Sequence, residues 1–441
     1  MRYRKLEYYI MPEDAPMDLN LLCYWLKEHE IDCHRYRHLR EMYEGNHPIL
    51  HVPDKPKWKP DNRIVVNFAK YIVDTLNGYF LGIPVKTNVQ DEAQSEVVHE
   101  ILDANDQDDN NFELSKIMSI YGSGFELVYL GQEADVRITY LTPMEAFVIY
   151  DDMVERKPLY GVQYYRDREG TLHGMLYSRM SMIPFTDKGG MHILTEEIKS
   201  HFFDGVPLIE YIENEEWQSA FENAESAIVA YEKALSEKAN DVDAFADAYM
   251  LIKGLDLDEK ELYTIRNDRV VQVPAQMDAD VLNAVDVSFL SRPSGDTTQE
   301  NLLSRLKTQI FTTSMVANIS DEDFGGSSGT ALVYKLQPMK NLATVKMRKF
   351  SSGMNQRWKL ICSSISTPLN EDDWKKFRYR FTLNAPQNLL EEAQTAAQMA
   401  GITSRKAQLS VLSAVPDVGQ EIEQIAEEDG TAELKEYVTE R

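Results

Sequence analysis

DTTQENLLSRLKTQIFTTSMVANISDEDFGGSSGTALVYKLQPMKNLATVKMRKFSSGMNQRWKLICSSI, residues 296–365, is the stretch on which the reading of the fold turns. Thr297 and Glu300 have the spacing of a capping box, and Leu302, Leu303, Leu306 and Ile310 follow at helical intervals. Opposite that face stand Asn301, Ser304 and Thr308, short and neutral, with Arg305 and Lys307 at its borders. The loop NISDEDFGGSSG (318–329) comes next; its glycines and serines predict mobility, and Phe324 offers one anchoring side chain. From Thr330 the spacing predicts a long helix, with Leu332, Leu336, Met339, Ala343, Met347, Phe350, Met354, Trp358, Ile361 and Ile365 on one face. Pro338 removes a backbone donor and crowds the preceding turn, so a kink is expected there, beside the loop. This helix carries Lys335, Lys340, Lys346, Arg348, Lys349, Arg357 and Lys359 and no acidic residue.

Such a cationic rod stands out because the chain around it is acidic. Its 441 residues hold 72 Asp and Glu against 46 Lys and Arg, a formal charge of −26. That balance argues against sequence-specific nucleic-acid binding, which leaves a basic footprint. It fits a protein past which DNA slides, since every phosphate contact deepens the trap. The other reading is that acidity only keeps a large assembly soluble. The length allows two or three domains with a sizeable core. Cys23, Cys33 and Cys362 are too few and scattered for a disulfide framework, so a reducing, intracellular setting is expected. The first residues lack the apolar core of a signal peptide. The most membrane-like window, residues 64–85, is broken by Asn67, Lys70, Asp74 and Asn77, so no membrane partner is expected.

Outward from the decisive stretch, Leu19–Tyr43 reads as a helix stopped by Gly45, Asn46 and Pro48. His51–Asp61 reads as an extended connector, and Ile64–Leu81 as an amphipathic helix ended by Gly82 and Pro84. From Glu126 to Ile198 the pattern alternates, with turns at Arg168-Glu169-Gly170 and Asp187-Lys188-Gly189-Gly190, so an antiparallel β region is expected. The class is α+β. Trp217, Phe221, Ala224, Ile228, Tyr231 and Leu235 form a narrow seam on a further long helix. That seam suits packing against neighbouring helices in a bundle or ring; the alternative is a helix lying on its own domain. LDLDEKELYTIRNDRVVQVPAQ (255–276) predicts two short strands, an excursion held at the end of two rods. FRYRFTL (377–383) alternates like a strand, and residues 391–400, 404–413 and 420–428 read as a small helical cap before an acidic tail.

The motifs of catalysis are missing from the sequence. Gly325 to Thr330 lacks the spacing and lysine of a phosphate loop. DANDQDDN (103–110) lacks the glycine and glutamate of a calcium loop. Cys23, Cys33 and His34 do not have zinc spacing. No enzyme, metal or cofactor is expected.

Four elements in order resemble the portal proteins of long-tailed double-stranded DNA bacteriophages. They are YEGNHPIL (43–50), NRIVVNFAKYIVDTLNGYFLGIPV (62–85), ANDVDAFADAYMLIKG (239–254), and VSFLSRP (287–293) followed by IFTTSMVANISDEDFGGSSGTALVYKL (310–336) and the basic helix. The resemblance covers nearly the whole chain. It implies a portal fold: a β-rich wing in 1–215, a two-helix stem in 216–246 and 297–317, and a small α/β clip in 247–296. The tunnel loop would be 318–329, the long kinked helix and return strand of the wing 330–387, and a small helical crown 388–441, shorter than in many relatives.

It further implies a homo-oligomeric ring, usually a dodecamer, at one capsid vertex of the virion, assembled in the host cytoplasm. Double-stranded DNA would pass through it without sequence specificity during packaging and ejection. Terminase, the major capsid and scaffolding proteins and a head-completion adaptor would be its partners. Ser320, Asp321, Glu322, Asp323, Phe324, Gly325, Gly326, Ser327 and Ser328 match the DNA-channel loop. With three acids and no lysine, that loop suits steric contact with the DNA groove better than a charge clamp. Asn301, Ser304, Arg305, Lys307 and Thr308 are the candidates to line the channel, and the cations of the long helix are expected to pair with acids of neighbouring subunits. The rival readings are a monomeric DNA-binding or processing protein and a protein-only scaffold.

Overall fold

The computed structural model describes residues 7–56, 59–188, 191–194, 198–246, 250–253, 286–289, 296–319, 329–385 and 389–428 (less 413, 416–417 and 420). Helix α1 (Leu19–Glu44) begins where the Asp18 carboxylate accepts the Leu21 N–H and ends at Gly45, in the left-handed conformation that glycine tolerates. A 3-10 turn (Pro48–His51) leads into an irregular segment and then α2 (Phe68–Leu81). The predicted start of α2 at Ile64 is therefore four residues early. After β2 (Lys86–Asn88), α3 (Glu92–Ala104) and α4 (Gln107–Tyr121) meet at Asp106, whose φ is 50°.

The β region takes the antiparallel form that the alternation predicts. β3 (Ser123–Leu130) pairs β4 (Val136–Leu141) on one side and β11 (Leu208–Ile212) on the other. The larger sheet runs β1 (Tyr9–Met11), β5 (Ala146–Asp151), β6 (Pro158–Arg166), β7 (Leu172–Tyr177), β8 (Ser181–Lys188) and β10 (Lys199–Ser200), with β9 (Met191–Leu194) also on β8. Among the described residues only β1 on β5 is parallel. The β6–β7 hairpin shows the local logic. Val162 and Tyr164 point into the core, and Asp167 accepts the N–H groups of Glu169 and Thr171 around Gly170, at φ 82°.

Helix α5 (Glu225–Ala246) is followed by β12 (Met250–Lys253), which pairs antiparallel with β13 (Asp286–Phe289). The excursion thus leaves and returns through a two-stranded base; the two strands predicted within 255–276 lie outside the described residues. Helix α6 (Asp296–Ser314) and the long α7 (Gly329–Ser363) follow, then β14 (Arg378–Arg380) on β2, and short helices α8 (Leu389–Gln398) and α9 (Arg405–Leu409).

The main core lies where α2, α4 and α7 meet the β3–β11 sheet. Phe80 of α2 stacks on Phe381 at 5.5 Å and meets Phe350 of α7 edge-on at 5.9 Å. Phe350 is fully buried, which stabilises the fold by roughly 2–3 kcal/mol of transfer free energy. Gly353 brings α7 down onto β11: a Cβ there would lie 2.3 Å from the Tyr211 ring. The predicted apolar face of α7 is buried or half-buried from Leu332 to Ile361, but Ile365 lies past the helix end and is exposed. No described helix is long and apolar enough to cross a membrane.

Candidate functional site: the paired helices and the polar core behind them

Helices α5 and α6 lie side by side. Leu303 and Ile310 of α6 are buried, and Phe311 packs edge-on against Phe68 and Tyr71 of α2. Lys238 of α5 pairs with Glu300, and the Gln299 amide donates to Asp241 at 2.9 Å. This leaves an outer face on α6. Asn301, Ser304, Arg305, Lys307 and Thr308 are all exposed on it, and Leu302, predicted to be core, is exposed beside them. Thr308 turns its hydroxyl back to the Ser304 carbonyl at 2.9 Å. Among the described residues neither Arg305 nor Lys307 makes an ion pair. The face is therefore mostly neutral, with two exposed cations.

The other side of α5 is held by a strap. Residues 62–66, of which 64–66 are predicted as helix, are extended and run along α5. The N–H groups of Val66, Ile64 and Asn62 donate to Glu232 Oε1, Ser236 Oγ and Asn240 Oδ1 at 3.1, 2.9 and 2.6 Å. The acceptors recur every fourth residue, one helical turn apart, so one face of α5 acts as a ladder for an extended backbone. Below it, His47 Nδ1 lies 2.5 Å from Glu232 Oε1, both side chains fully buried, and His38 Nε2 lies 2.6 Å from Glu225 Oε1. The Glu225 contact raises the His38 pKa. Burial pulls the His47 pKa down, but the Glu232 carboxylate, with hydrogen bonds to the Met42 carbonyl and Asn67, raises it on balance.

The seam expected to face other copies is spent within one chain. Phe221, Ala224 and Ile228 are fully buried in the main core. Trp217 does not belong to the helix at all: its φ is 51° and its carbonyl accepts from Arg35 at 2.8 Å. Arg35 also pairs with Glu222 at 2.5 Å, so α1 fixes the turn that launches α5.

The end of α6 is equally defined. Met315 takes φ 59°, Val316 is buried, and the Ile319 N–H donates to the Tyr71 hydroxyl at 2.8 Å. The predicted channel-loop residues Ser320, Asp321, Glu322, Asp323, Phe324, Gly325, Gly326, Ser327 and Ser328 lie outside the described residues. α7 runs as one uninterrupted helix through Pro338, which is exposed.

The α7 cations do not all await a partner subunit. Arg357 is fully buried and grips Glu126 of β3 at 2.5 and 2.7 Å, donating also to Asn111 at 2.8 Å. Lys346 is as deeply buried; its ammonium reaches Glu213 Oε2 and Ser119 Oγ at 2.6 Å and the Ser115 carbonyl at 2.8 Å. Lys349 pairs with Glu215. The expectation that these cations pair between copies is thus corrected for three of them. Burial pulls the Lys346 ammonium below its usual pKa and lifts the Glu213 carboxyl above its own. The Glu126 carboxylate holds Arg357 firmly in its charged form against the cost of burial.

Sequence reasoning missed Glu126, Glu213, Glu232 and Tyr71. The one signal was the acidic residue set in otherwise apolar runs, FELVYL for Glu126 and IVAYEKAL for Glu232.

The described residues thus combine a helical pair with a mostly neutral outer face, an excursion hung between its members and a body locked by internal ion pairs. The sequence comparisons supply the class. Residues 24–434 match the family described as phage portal protein, SPP1 Gp6-like, and the chain belongs to that family. The portal protein of Clostridium phage phiCD119 is 23% identical to it over 381 residues, covering 80% of this chain and 82% of that one. The family is a structural one, not a family of enzymes.

Proposed function

We propose that the chain forms a homo-oligomeric ring, a dodecamer, at one capsid vertex, where double-stranded DNA passes through its centre during packaging and ejection. In this reading α5 and α6 are the stem, the excursion closed by β12 and β13 is the clip, and residues 1–215 with α7 and β14 form the wing. Residues 388–441 are the crown, 318–329 the channel loop, and Pro338 a kink point of α7. Terminase, the major capsid and scaffolding proteins and a head-completion adaptor dock on the ring, which is built in the host cytoplasm and ends in the virion.

The observation that carries the reading is the outer face of α6. Asn301, Ser304 and Thr308 offer a passing duplex little to hold, and Arg305 and Lys307 supply only two cations per copy. A channel that gripped many phosphates would bind DNA in a steeply salt-dependent manner and stall it.

Native mass spectrometry with negative-stain imaging, in the presence of capsid and scaffolding proteins, tests the ring. Closed assemblies of about a dozen copies are expected, and a persistent monomer overturns the reading. DNA packaging by Arg305→Glu and Lys307→Glu tests the lining: a loss in at least one is expected, and wild-type packaging in both removes α6 from the channel.

A further inference from the structure

We infer that the outward face of α7 is a seat for a second copy of this chain, which meets it with the acidic face of α3. The inference rests on the ring reading above and names the surfaces that would join neighbouring copies.

The buried side of α7 faces α4 and the β3–β11 sheet. Its other side carries exposed residues along its length, with Lys359 at its end in electrostatic reach of Glu155 and Asp204 of the same chain. Tyr334, Pro338, Val345, Arg348, Ser352 and Lys359 recur on it at helical spacing and are all exposed, Tyr334 at 75% and Val345 at 45%. The stripe is about 38 Å long at 1.5 Å per residue. It carries no acid, and Arg348 makes no ion pair among the described residues. An exposed face mixing aromatic, aliphatic and cationic groups asks for a partner with apolar surface and negative charge.

DNA fits poorly. A duplex presents one phosphate charge per ~1.7 Å, whereas this stripe has two cations and three apolar side chains along its length. A second copy fits better. α3 exposes Glu92, Glu96, Glu100 and Asp103 along one side, and none of the four makes an ion pair among the described residues. Val97 and Ile101 lie beside them, partly exposed. The two surfaces sit on different elements and are opposite in charge. Contact between unlike patches repeats from copy to copy and closes a ring when the rotation permits. The stripe offers roughly 400 Å², about half of what one partner buries in a stable contact, so it is one part of a larger interface.

The test places a photo-crosslinking amino acid at Val345 in the full chain and maps the products after assembly. Crosslinks from residue 345 of one copy to residues 92–104 of another are expected. In parallel, Arg348→Glu, an exposed change, should cut ring yield about tenfold at low salt, because like charges then oppose across the contact. Adding Glu96→Arg should restore it. Crosslinks confined to one copy, to DNA or to another part of the second copy overturn the inference, as does wild-type ring yield from Arg348→Glu. If the unaltered chain forms no ring even with its capsid partners, the ring reading itself fails; rings that crosslink elsewhere sink this inference alone.

Discussion

Lys346 Nζ lies 2.6 Å from Glu213 Oε2 with both side chains out of water, and this contact ties the middle of the long helix to the segment just after β11. The ammonium has two further acceptors, the Ser115 carbonyl and the Ser119 hydroxyl, so all three of its protons are used. A buried pair of this kind contributes little beyond what a packed apolar pair would, but removing one member strands the other.

Lys346→Met should therefore destabilise the fold by about 3–5 kcal/mol, and Glu213→Leu by a similar amount, as in other broken buried pairs. The double variant should recover most of the loss. Denaturant midpoints of the four proteins check this. A double variant no better than either single one would show that the pair acts through the Ser115 and Ser119 contacts and not through its charges.

How much of this was legible beforehand differs by element. The limits of α1, the start of α7 and the antiparallel region follow from periodicity and stop residues such as Gly45, which act locally, whereas periodicity carries α7 on to Ile365, past its end at Ser363. The seam at Phe221, Ala224 and Ile228 was visible as a buried face, but periodicity says that a face is covered and not by what; here its own core covers it. The strap was misread because Ile64, Val65 and Val66 are apolar at any period, and the α5 side chains that accept from the N–H groups of Val66, Ile64 and Asn62 lie 166 to 178 residues away. Arg357 and Glu126 are 231 residues apart, so nothing local could pair them. Of the candidate site, Asn301, Ser304, Arg305, Lys307 and Thr308 are exposed on α6, and Leu302, expected in the core, is exposed with them, because periodicity marks an apolar position but not whether anything covers it.

The strap gives a second prediction. Ser236→Ala removes the acceptor of the Ile64 N–H and adds nothing in its place. An unpaired, partly buried backbone donor costs about 1–3 kcal/mol. Hydrogen exchange should show the amides of residues 62–66 losing protection while those of the β6–β7 hairpin keep theirs. Equal loss in both places would mean that the strap does not open as a local unit.

Gly353 gives a third. An alanine there would put a methyl group 2.3 Å from the Tyr211 ring, which is fully buried and has nowhere to retreat. Gly353→Ala gains helix propensity of about 1 kcal/mol, yet overpacking of this kind costs about 1–3 kcal/mol. A net loss of stability is expected, and a smaller residue at 211, as in Tyr211→Leu, should reverse its sign. A stabilised Gly353→Ala single variant would show that α7 can lift from β11 without cost.

The last prediction concerns pH, where the histidines work in opposite senses. His38 and His47 have pKa values raised by Glu225 and Glu232, the latter against the pull of burial. A group that holds its proton more tightly when folded stabilises fully below its unfolded value of about 6.5, and that stability is lost as pH rises through the folded value. His29 is the reverse. Burial pulls its pKa down to about 4, and its neutral ring sits 2.8 Å from both the Tyr164 hydroxyl and the Pro143 carbonyl. The unfolded chain takes up a proton there first, so stability falls as pH drops from about 6.5 towards 4. Thermal unfolding across pH 4 to 9 should therefore show a maximum near the middle. A His38→Gln, His47→Gln double variant should reduce the decline on the alkaline side only, and His29→Gln should lessen the fall on the acid side, where burial of His201 leaves a remaining loss of the same sign. Because both raised histidines grip α5, the alkaline loss should appear first as weaker protection of α5 amides. If α5 exchange is insensitive to pH over that range, the two His–Glu contacts are not what holds the helix against α1.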